Sequence, residues 1–289
     1  FNRHIHKSQE EVIWPGHRKS HVGTVSSFGV LLGIKNIPEP KKVELIPYAL
    51  SSSNENEFVY NLGADVRYGV SSNAVINATV NPDFGQVEAD PSVLNLSAYE
   101  TFYEEKRPFF SEGANFFQHR LQLFHSRRIG NAPGYFSPDS GDLENVPGNT
   151  TILGAFKLLG TTKSGINYGL INAATNEELG TIINSDGQKE DFVVEPRTNY
   201  AVGRIEKSII NKFSRVGIMG TTVIRENAES ASVAGLDWKI GLLNNRLFSN
   251  GQIVRSNTDH KGNAFRFNLG YSDPVWWSTR VWYGTYDDK

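Results

Sequence analysis

The sequence predicts an all-β protein, an antiparallel up-and-down transmembrane β-barrel of which this chain is a part, with an irregular acidic and aromatic insert. Three observations support this prediction. Long segments alternate apolar and polar residues, short turn sequences separate these segments, and no run approaches the roughly 20 consecutive apolar residues of a membrane-spanning helix.

The clearest alternation occupies residues 58–71. Its apolar face carries Phe58, Tyr60, Leu62, Ala64, Val66, Tyr68 and Val70, and its other face carries Asn61, Gly63, Asp65, Arg67, Gly69 and Ser71. A period of two indicates a strand with one apolar and one polar side. Strands of soluble domains usually span about 5–6 residues, whereas a tilted membrane-crossing strand needs about 9–11. The length of this segment therefore favours a barrel wall.

The same alternation recurs in residues 74–80, 232–242 and 265–271. Turn sequences rich in Gly, Asn, Asp and Ser lie at residues 162–165, 185–187, 244–245 and 261–263. Such sequences connect antiparallel neighbours as hairpins. We therefore expect a meander of long strands.

The direction of the two faces separates a membrane barrel from its main alternative. In a barrel the apolar set faces lipid: Tyr60, Leu62, Val66, Tyr68, Leu236, Trp238, Ile240, Phe265, Phe267 and Leu269. The charged set then faces the lumen: Asp65, Arg67, Asp237, Lys239 and Arg266. A soluble β-sandwich or lipocalin-like barrel would enclose the apolar set and expose the charged one.

Composition narrows the function classes. A formal net charge of -2 gives no reason to expect nucleic acid as a partner. The absence of cysteine excludes disulfides, thiolate metal sites and a cysteine nucleophile, and suits a compartment outside the cytoplasm. No Walker loop, dinucleotide-binding glycine loop or Gly-x-Ser-x-Gly elbow is present, so we predict no cofactor and no nucleophilic hydrolase.

The chain divides into two parts. Residues 1–42 form a basic lead-in, which we interpret as the junction after a missing N-terminal module, since the sequence resembles an excerpt of a longer precursor. Residues 43–289 form the barrel portion, and residues 81–117 interrupt it as the insert. The aromatic content of this insert requires it to fold against another surface, so it is expected to act as a gate or an internal brace.

The charged residues of the insert have competing interpretations. They are Asp83, Glu88, Asp90, Glu100, Glu104, Glu105, Lys106, Arg107 and Glu112. Pairing of the acids with Arg67, Arg120, Arg127 or Arg128 would make the insert a brace, and this is the interpretation we favour. Glu100 and Glu104 would share one face of a short helix over residues 94–105, and two nearby carboxyl groups are also what glycoside hydrolysis needs.

Metal binding has less support. Asp83, Glu88 and Asp90 offer oxygen ligands around Gly85, but their spacing matches no known Ca²⁺ loop. The histidines of the lead-in are His4, His6, His17 and His21, and they lack the ligand spacing of a zinc site. We predict no metal.

Residues 81–113, together with the stretch Lys-Val-Glu-Leu-Ile-Pro-Tyr at residues 42–48, resemble the outer-membrane barrel family catalogued as domain of unknown function 5916. Ser111 departs from the apolar residue expected before Glu112. The resemblance spans essentially the whole chain. Members of that family often follow a family 9 carbohydrate-binding module, so the resemblance implies a bacterial outer-membrane location, with the lipid bilayer as one partner and carbohydrate, through an upstream module, as another.

The expected function is solute passage or binding, or display of the carbohydrate-binding module. The alternative is a surface or periplasm-facing glycan-directed hydrolase that uses carboxylates of residues 88–112.

Overall fold

The structure, a computed structural model, describes residues 2–5, 10–13, 29–30, 32–33, 42–54, 57–82, 103–138, 142–183, 187–258, 261–273 and 276–287. Its strands are β1 Asn2–Ile5, β2 Glu10–Ile13, β3 Val43–Asn54, β4 Glu57–Ser71, β5 Ala74–Val80, β6 Asp142–Glu144, β7 Ile152–Thr161, β8 Ile166–Thr175, β9 Glu178–Ile183, β10 Lys189–Glu195, β11 Thr198–Ser208, β12 Arg215–Arg225, β13 Ala231–Leu242, β14 Leu247–Asn257, β15 Lys261–Ser272 and β16 Ser278–Tyr286. Two short helices are α1 Pro108–Ser111 and α2 Ala114–Phe117, and a 3₁₀ turn occupies Ser126–Arg128.

The main sheet has 11 strands in the order β3-β4-β5-β7-β8-β11-β12-β13-β14-β15-β16, and every neighbouring pair is antiparallel. This confirms the predicted antiparallel all-β class. Two excursions interrupt the meander: residues 81–151 between β5 and β7, and the β9-β10 hairpin, which forms a 3-stranded sheet with β6. Within the described residues the sheet is open, with β3 and β16 as its edges, and β1 and β2 form a separate hairpin.

The register gives the main sheet two chemically distinct faces. Ile205, Ile218, Leu236, Ile253 and Phe265 lie side by side across neighbouring strands on one of them. We call this side the apolar face, because large apolar side chains dominate it and most of them are exposed. Alternation puts the charged residues of the same strands on the opposite side.

That opposite side is the insert face, defined by Asp65, Lys157, Arg204 and Asp237. Residues 103–138 cover it, so the covering segment continues past the predicted end of the insert at residue 117, and the name insert is used below for residues 81–138. The buried rings of Phe110 and Phe117 and the buried side chain of Ile129 pack here against Ile171, Val202 and Met219, which project from β8, β11 and β12. The core therefore lies between one sheet and an irregular segment. Burial of these large side chains against the sheet anchors the segment, since each contributes about 1.5–3 kcal/mol.

Helical structure is minor. The helix considered for residues 94–105 falls mostly outside the described residues, and residues 103–107 are extended or irregular. In the parts of the chain that the structure describes, no helix is long and apolar enough to cross a membrane.

Candidate functional site

A network of buried charges occupies the centre of the insert face. Arg204 of β11 donates through Nη2 to Oε2 of Glu206 at 2.9 Å and to Oδ1 of Asp237 at 3.1 Å. Nε of Arg215 lies 3.2 Å from the same Glu206 oxygen. The Arg204 side chain is only 5% exposed, so its charge depends on the two carboxylates for compensation.

Glycine makes room for this network. Gly217 of β12 lies directly between Glu206 and Asp237 in the sheet register. A Cβ at this position would lie 2.8 Å from Oδ2 of Asp237 and 3.2 Å from Nη2 of Arg204. A side chain here would therefore push the ion pair apart, which explains a glycine in the middle of a long strand.

The insert reaches the network through His119, whose side chain is 2% exposed. Its Nε2 lies 3.3 Å from Oδ2 of Asp237, and its Nδ1 lies 2.5 Å from the amide nitrogen of Gln252. The carbonyl oxygen of the same Gln252 side chain accepts a hydrogen bond from the backbone N–H of Leu121 at 3.1 Å. Burial and the charge of Arg204 hold the pKa of His119 below its ordinary value, although Asp237 and Glu206 partly oppose the shift.

A second charged cluster lies within the insert itself. Arg107 donates to both carboxylate oxygens of Glu105, at 2.8 and 2.7 Å, and to the backbone carbonyls of Ile129 and Ser126, at 2.6 and 2.7 Å. Ser126 also donates its hydroxyl to Glu105 at 2.6 Å. Burial raises the pKa of Glu105, but the bonds and charge of Arg107 outweigh it and leave the pKa below the ordinary value.

A third contact joins α1 to the sheet. Lys157 of β7 is 1% exposed and donates through Nζ to the backbone carbonyls of Phe109, at 2.5 Å, and Glu112, at 2.7 Å. The Glu112 carboxylate accepts a hydrogen bond from Asn77 at 2.7 Å and lies 3.3 Å from Nη2 of Arg67. Lys157 therefore ties one carbonyl of α1, and the carbonyl of the residue just after it, to the sheet with a charged donor.

The residues predicted to face the lumen all project from the insert face. In the register Asp65 lies opposite Thr79, Arg67 opposite Asn77, Asp237 and Arg266 opposite Gln252, and Lys239 opposite Arg215. Of these residues, Arg67 and Asp237 form the ion pairs to the insert described above.

The charged residues of the insert separate into two groups. Asp83, Glu88, Asp90 and Glu100 lie outside the described residues, and with them the Ca²⁺ candidate and one member of the Glu100 and Glu104 pair. The others are described: Glu104 and Lys106 are exposed, the side chains of Glu105 and Arg107 are largely buried against each other, and Glu112 pairs with Arg67. Arg127 donates to the backbone carbonyl of Glu104, not to its carboxylate. In the described part of the chain no group of three or more His, Asp or Glu residues could hold a metal ion.

Sequence reasoning missed His119, Lys157, Arg204, Glu206 and Gln252. Arg204 and Glu206 alternate with the apolar Ile205, so the period-two rule applied to residues 198–208 would have found them. Lys157 shares its face with Ala155 and Leu159, so the alternation pattern does not indicate that its charged side chain has a buried role. Hydrogen-bonded charge pairs of these kinds fix one segment against another.

The comparison with protein families matches residues 39–280 to Domain of unknown function (DUF5916). The chain belongs to this family. The match begins just before β3 and ends within β16, so it includes the main sheet and the insert together. Comparison of this DUF5916 chain with curated proteins and with solved structures found no similar protein.

Proposed function

We propose that this chain forms part of the wall of a bacterial outer-membrane β-barrel, with residues 103–138 as a brace held inside it. The barrel passes or binds solutes, or displays an upstream carbohydrate-binding module. The observation that carries the proposal is the exposed apolar face of the 11-stranded sheet, opposite a face of buried charges.

The size of the apolar face supports lipid as its partner. Leu62 is 70% exposed, Ile218 63%, Ile253 51% and Leu269 43%, and these residues belong to strands spread across the sheet. Soluble monomers rarely expose contiguous apolar patches larger than a few hundred Å². Contact with hydrocarbon removes this surface from water, whereas a soluble sandwich would need a second layer over it.

Strand lengths support the same proposal. Apart from β5, the strands of the main sheet contain 9 to 15 residues. A tilted strand of about 9–11 residues crosses the hydrocarbon core. In the turn between β15 and β16 the aromatic rings of Trp276 and Trp277 are both exposed, as expected of an interfacial girdle.

A cavity beside the insert supports solute passage over display alone. It has a volume of about 1120 Å³, and its walls include Glu44 and Arg67 from the sheet and Phe116 from α2. The Arg67 and Glu112 side chains near it are 52% and 41% exposed, so a charged pair is accessible to solvent beside the brace. An open cavity along the wall with a charged pair beside it is the expected form of a solute path that a brace narrows.

Lipid contact is tested with single-cysteine variants, which the cysteine-free sequence permits. Ile218→Cys lies on the apolar face of β12, and Thr221→Cys is its matched control on the insert face of the same strand. Each is labelled with a fluorophore in full-length protein reconstituted in vesicles. We expect a lipid-borne quencher to reach the label at 218 and not the one at 221. If a water-soluble quencher reaches both labels equally and the lipid-borne quencher reaches neither, the proposal is wrong.

A measurement of conductance distinguishes solute passage from display of the carbohydrate-binding module. Full-length protein is reconstituted in planar bilayers, and conductance is recorded before and after substitution of Arg67 by Gln. Passage predicts channels whose ion selectivity changes with Arg67→Gln. A correctly folded protein that gives no conductance at all leaves the display role.

A further inference from the structure

A groove lies on the apolar face of the main sheet, across strands β8, β11, β12 and β13. Its volume is about 570 Å³, within the range of about 300–1,000 Å³ typical of small-ligand sites. Large aliphatic side chains line it, and all of them are exposed: Leu170, Ile205, Val216, Ile218 and Leu236. The sheet register puts these side chains on one side of the sheet, away from the insert. The groove therefore offers hydrocarbon walls to whatever covers the apolar face.

Glycine forms the floor of this groove. Gly203 of β11 lies between Leu170 of β8 and Gly220 of β12 in the register. Apart from its two chain neighbours, no atom of the described residues lies within 4 Å of the position that a Cβ at Gly203 would take. A glycine inside a strand often marks a place where another molecule approaches the backbone closely. The two adjacent glycines leave a depression in a face that otherwise carries large side chains.

One end of the groove is positively charged. Lys207 lines this end with an exposed side chain, and it forms no ion pair with any residue that the structure describes. Lys163 and Lys212 are exposed in the turns that follow β7 and β11, at the same end of the sheet, and neither turn contains an acidic residue. Glu206 projects from the opposite face and is already paired there. The charge at this end of the groove is therefore uncompensated on the apolar face.

The charged end lies where the headgroups of a bilayer would be. β11 contains 11 residues, about the number that crosses the hydrocarbon core, and Lys207 is next to its last residue. From Lys207 back to Gly203 the strand rises about 13 Å, at about 3.3 Å per residue, which fits within one leaflet of a core about 30 Å thick. The turns at this end are short and the two excursions leave from the other end, as is typical of the periplasmic end of a barrel.

We propose that this groove binds one acyl chain of an anionic phospholipid, with the phosphate of its headgroup beside Lys207. The inference rests on the proposed contact of the apolar face with lipid and adds a preferred lipid to it. A flexible hydrocarbon chain fills the depression over Gly203 and supplies the van der Waals contacts that an empty groove would lack. A lysine without a carboxylate partner attracts the phosphate and favours an anionic lipid over a zwitterionic one.

Native mass spectrometry of the full-length protein in detergent tests the inference by counting the lipids that the protein retains. The probes are phosphatidylglycerol and phosphatidylcholine with identical acyl chains, so that they differ only in their headgroups. We expect one phosphatidylglycerol molecule to bind with an affinity about fivefold above that of phosphatidylcholine. Equal affinities would overturn the inference and leave the contact of the apolar face with lipid intact. Failure of the lipid-borne quencher at residue 218 would instead count against the proposed membrane function.

The role of the charge is tested with Lys207→Gln. We expect this variant to bind phosphatidylglycerol about fivefold more weakly and phosphatidylcholine as before. Lys261→Gln is the matched control, because Lys261 is also exposed and shares the face of Phe265, but lies at the opposite end of the sheet. It should bind both lipids as the unaltered protein does. A loss of the same size in the two variants would show that net charge alone attracts the lipid, and the inference would be wrong.

The role of the groove is tested with Gly203→Leu, which fills the depression without a clash. We expect this variant to lose the retained phosphatidylglycerol while its circular dichroism stays unaltered. Ala64→Leu is the control, because it adds a side chain of the same size to the apolar face on β4, outside the groove. Retention that Gly203→Leu leaves unchanged would overturn the inference. A lipid-free dimer that Gly203→Leu disrupts would do the same, since a second copy of the chain would then occupy the groove.

Discussion

His119 of the insert and Asp237 of β13 lie 3.3 Å apart, Nε2 to Oδ2, in a region where both side chains are largely buried. Asp237 also accepts the hydrogen bond of Arg204, so one carboxylate joins the insert, β11 and β13. A carboxylate in this position compensates the buried cation of Arg204 and lies against the imidazole of His119 at the same time. The loss of this one carboxylate should therefore weaken the attachment of the brace to two strands at once.

Asp237→Asn is predicted to destabilise the protein. Breaking a buried ion pair costs about 3–5 kcal/mol, and the lower end applies here because Glu206 still pairs with Arg204. The measurement is urea unfolding of the refolded protein followed by tryptophan fluorescence. Glu144→Gln is the control, because its pair with Lys189 is exposed and should contribute less than about 1 kcal/mol. Similar losses in the two variants would contradict a special role for the buried network.

His119 is predicted to make the fold less stable in acid. Its pKa lies below the ordinary value of 6.5, so the unfolded chain binds the proton more readily than the folded one. The free energy of unfolding should therefore be fully retained above about pH 6.5 and fall as the pH drops from there through the lower pKa of the folded state. In His119→Gln this decrease of the free energy of unfolding with falling pH should disappear. The two proteins are compared at pH 8 as the reference, because neither carries a charge at residue 119 there. An unchanged slope in the variant would refute the prediction.

Lys157→Met is predicted to release α1 from the sheet while the strands stay formed. The variant loses the hydrogen bonds to Phe109 and Glu112, and a bond from a charged donor is worth about 1.5–3 kcal/mol. Hydrogen exchange of residues 108–117 should accelerate about tenfold or more, with little change in β12 to β14. Lys163→Met, in an exposed turn, should leave exchange unaltered. Uniform acceleration over the whole sheet would instead indicate global destabilisation.

Leu236→Arg tests the membrane assignment through stability. Leu236 lies on the apolar face with Ile218 and Ile253 as its neighbours. If it faces hydrocarbon near the midplane, an arginine there should cost about 2–4 kcal/mol in unfolding from lipid vesicles. Leu243→Arg is the matched control, since this residue is more exposed but lies in the turn after β13. An equal and small effect of the two substitutions would favour a surface in water.

Alternation within single segments predicted much of this fold. The period-two pattern of residues 58–71 and 232–242 became β4 and β13, and their charged residues share the insert face as the pattern requires. This works because successive side chains of a strand point to opposite sides whatever the strand pairs with. The same rule applied to residues 198–208 would have placed Arg204 and Glu206 there as well.

The sequence by itself determined that the protein is built from long antiparallel strands with one apolar and one polar face, because that information is local to each strand. Only the tertiary structure decided which strands pair across the two excursions, so that β5 meets β7 and β8 meets β11. It alone brought His119 to Asp237 and Lys157 to the end of α1. Contacts between distant segments depend on how the whole chain packs, and the burial of Phe110 and Phe117 against the sheet fixes that packing. The alternation within a single strand carries no information about these contacts.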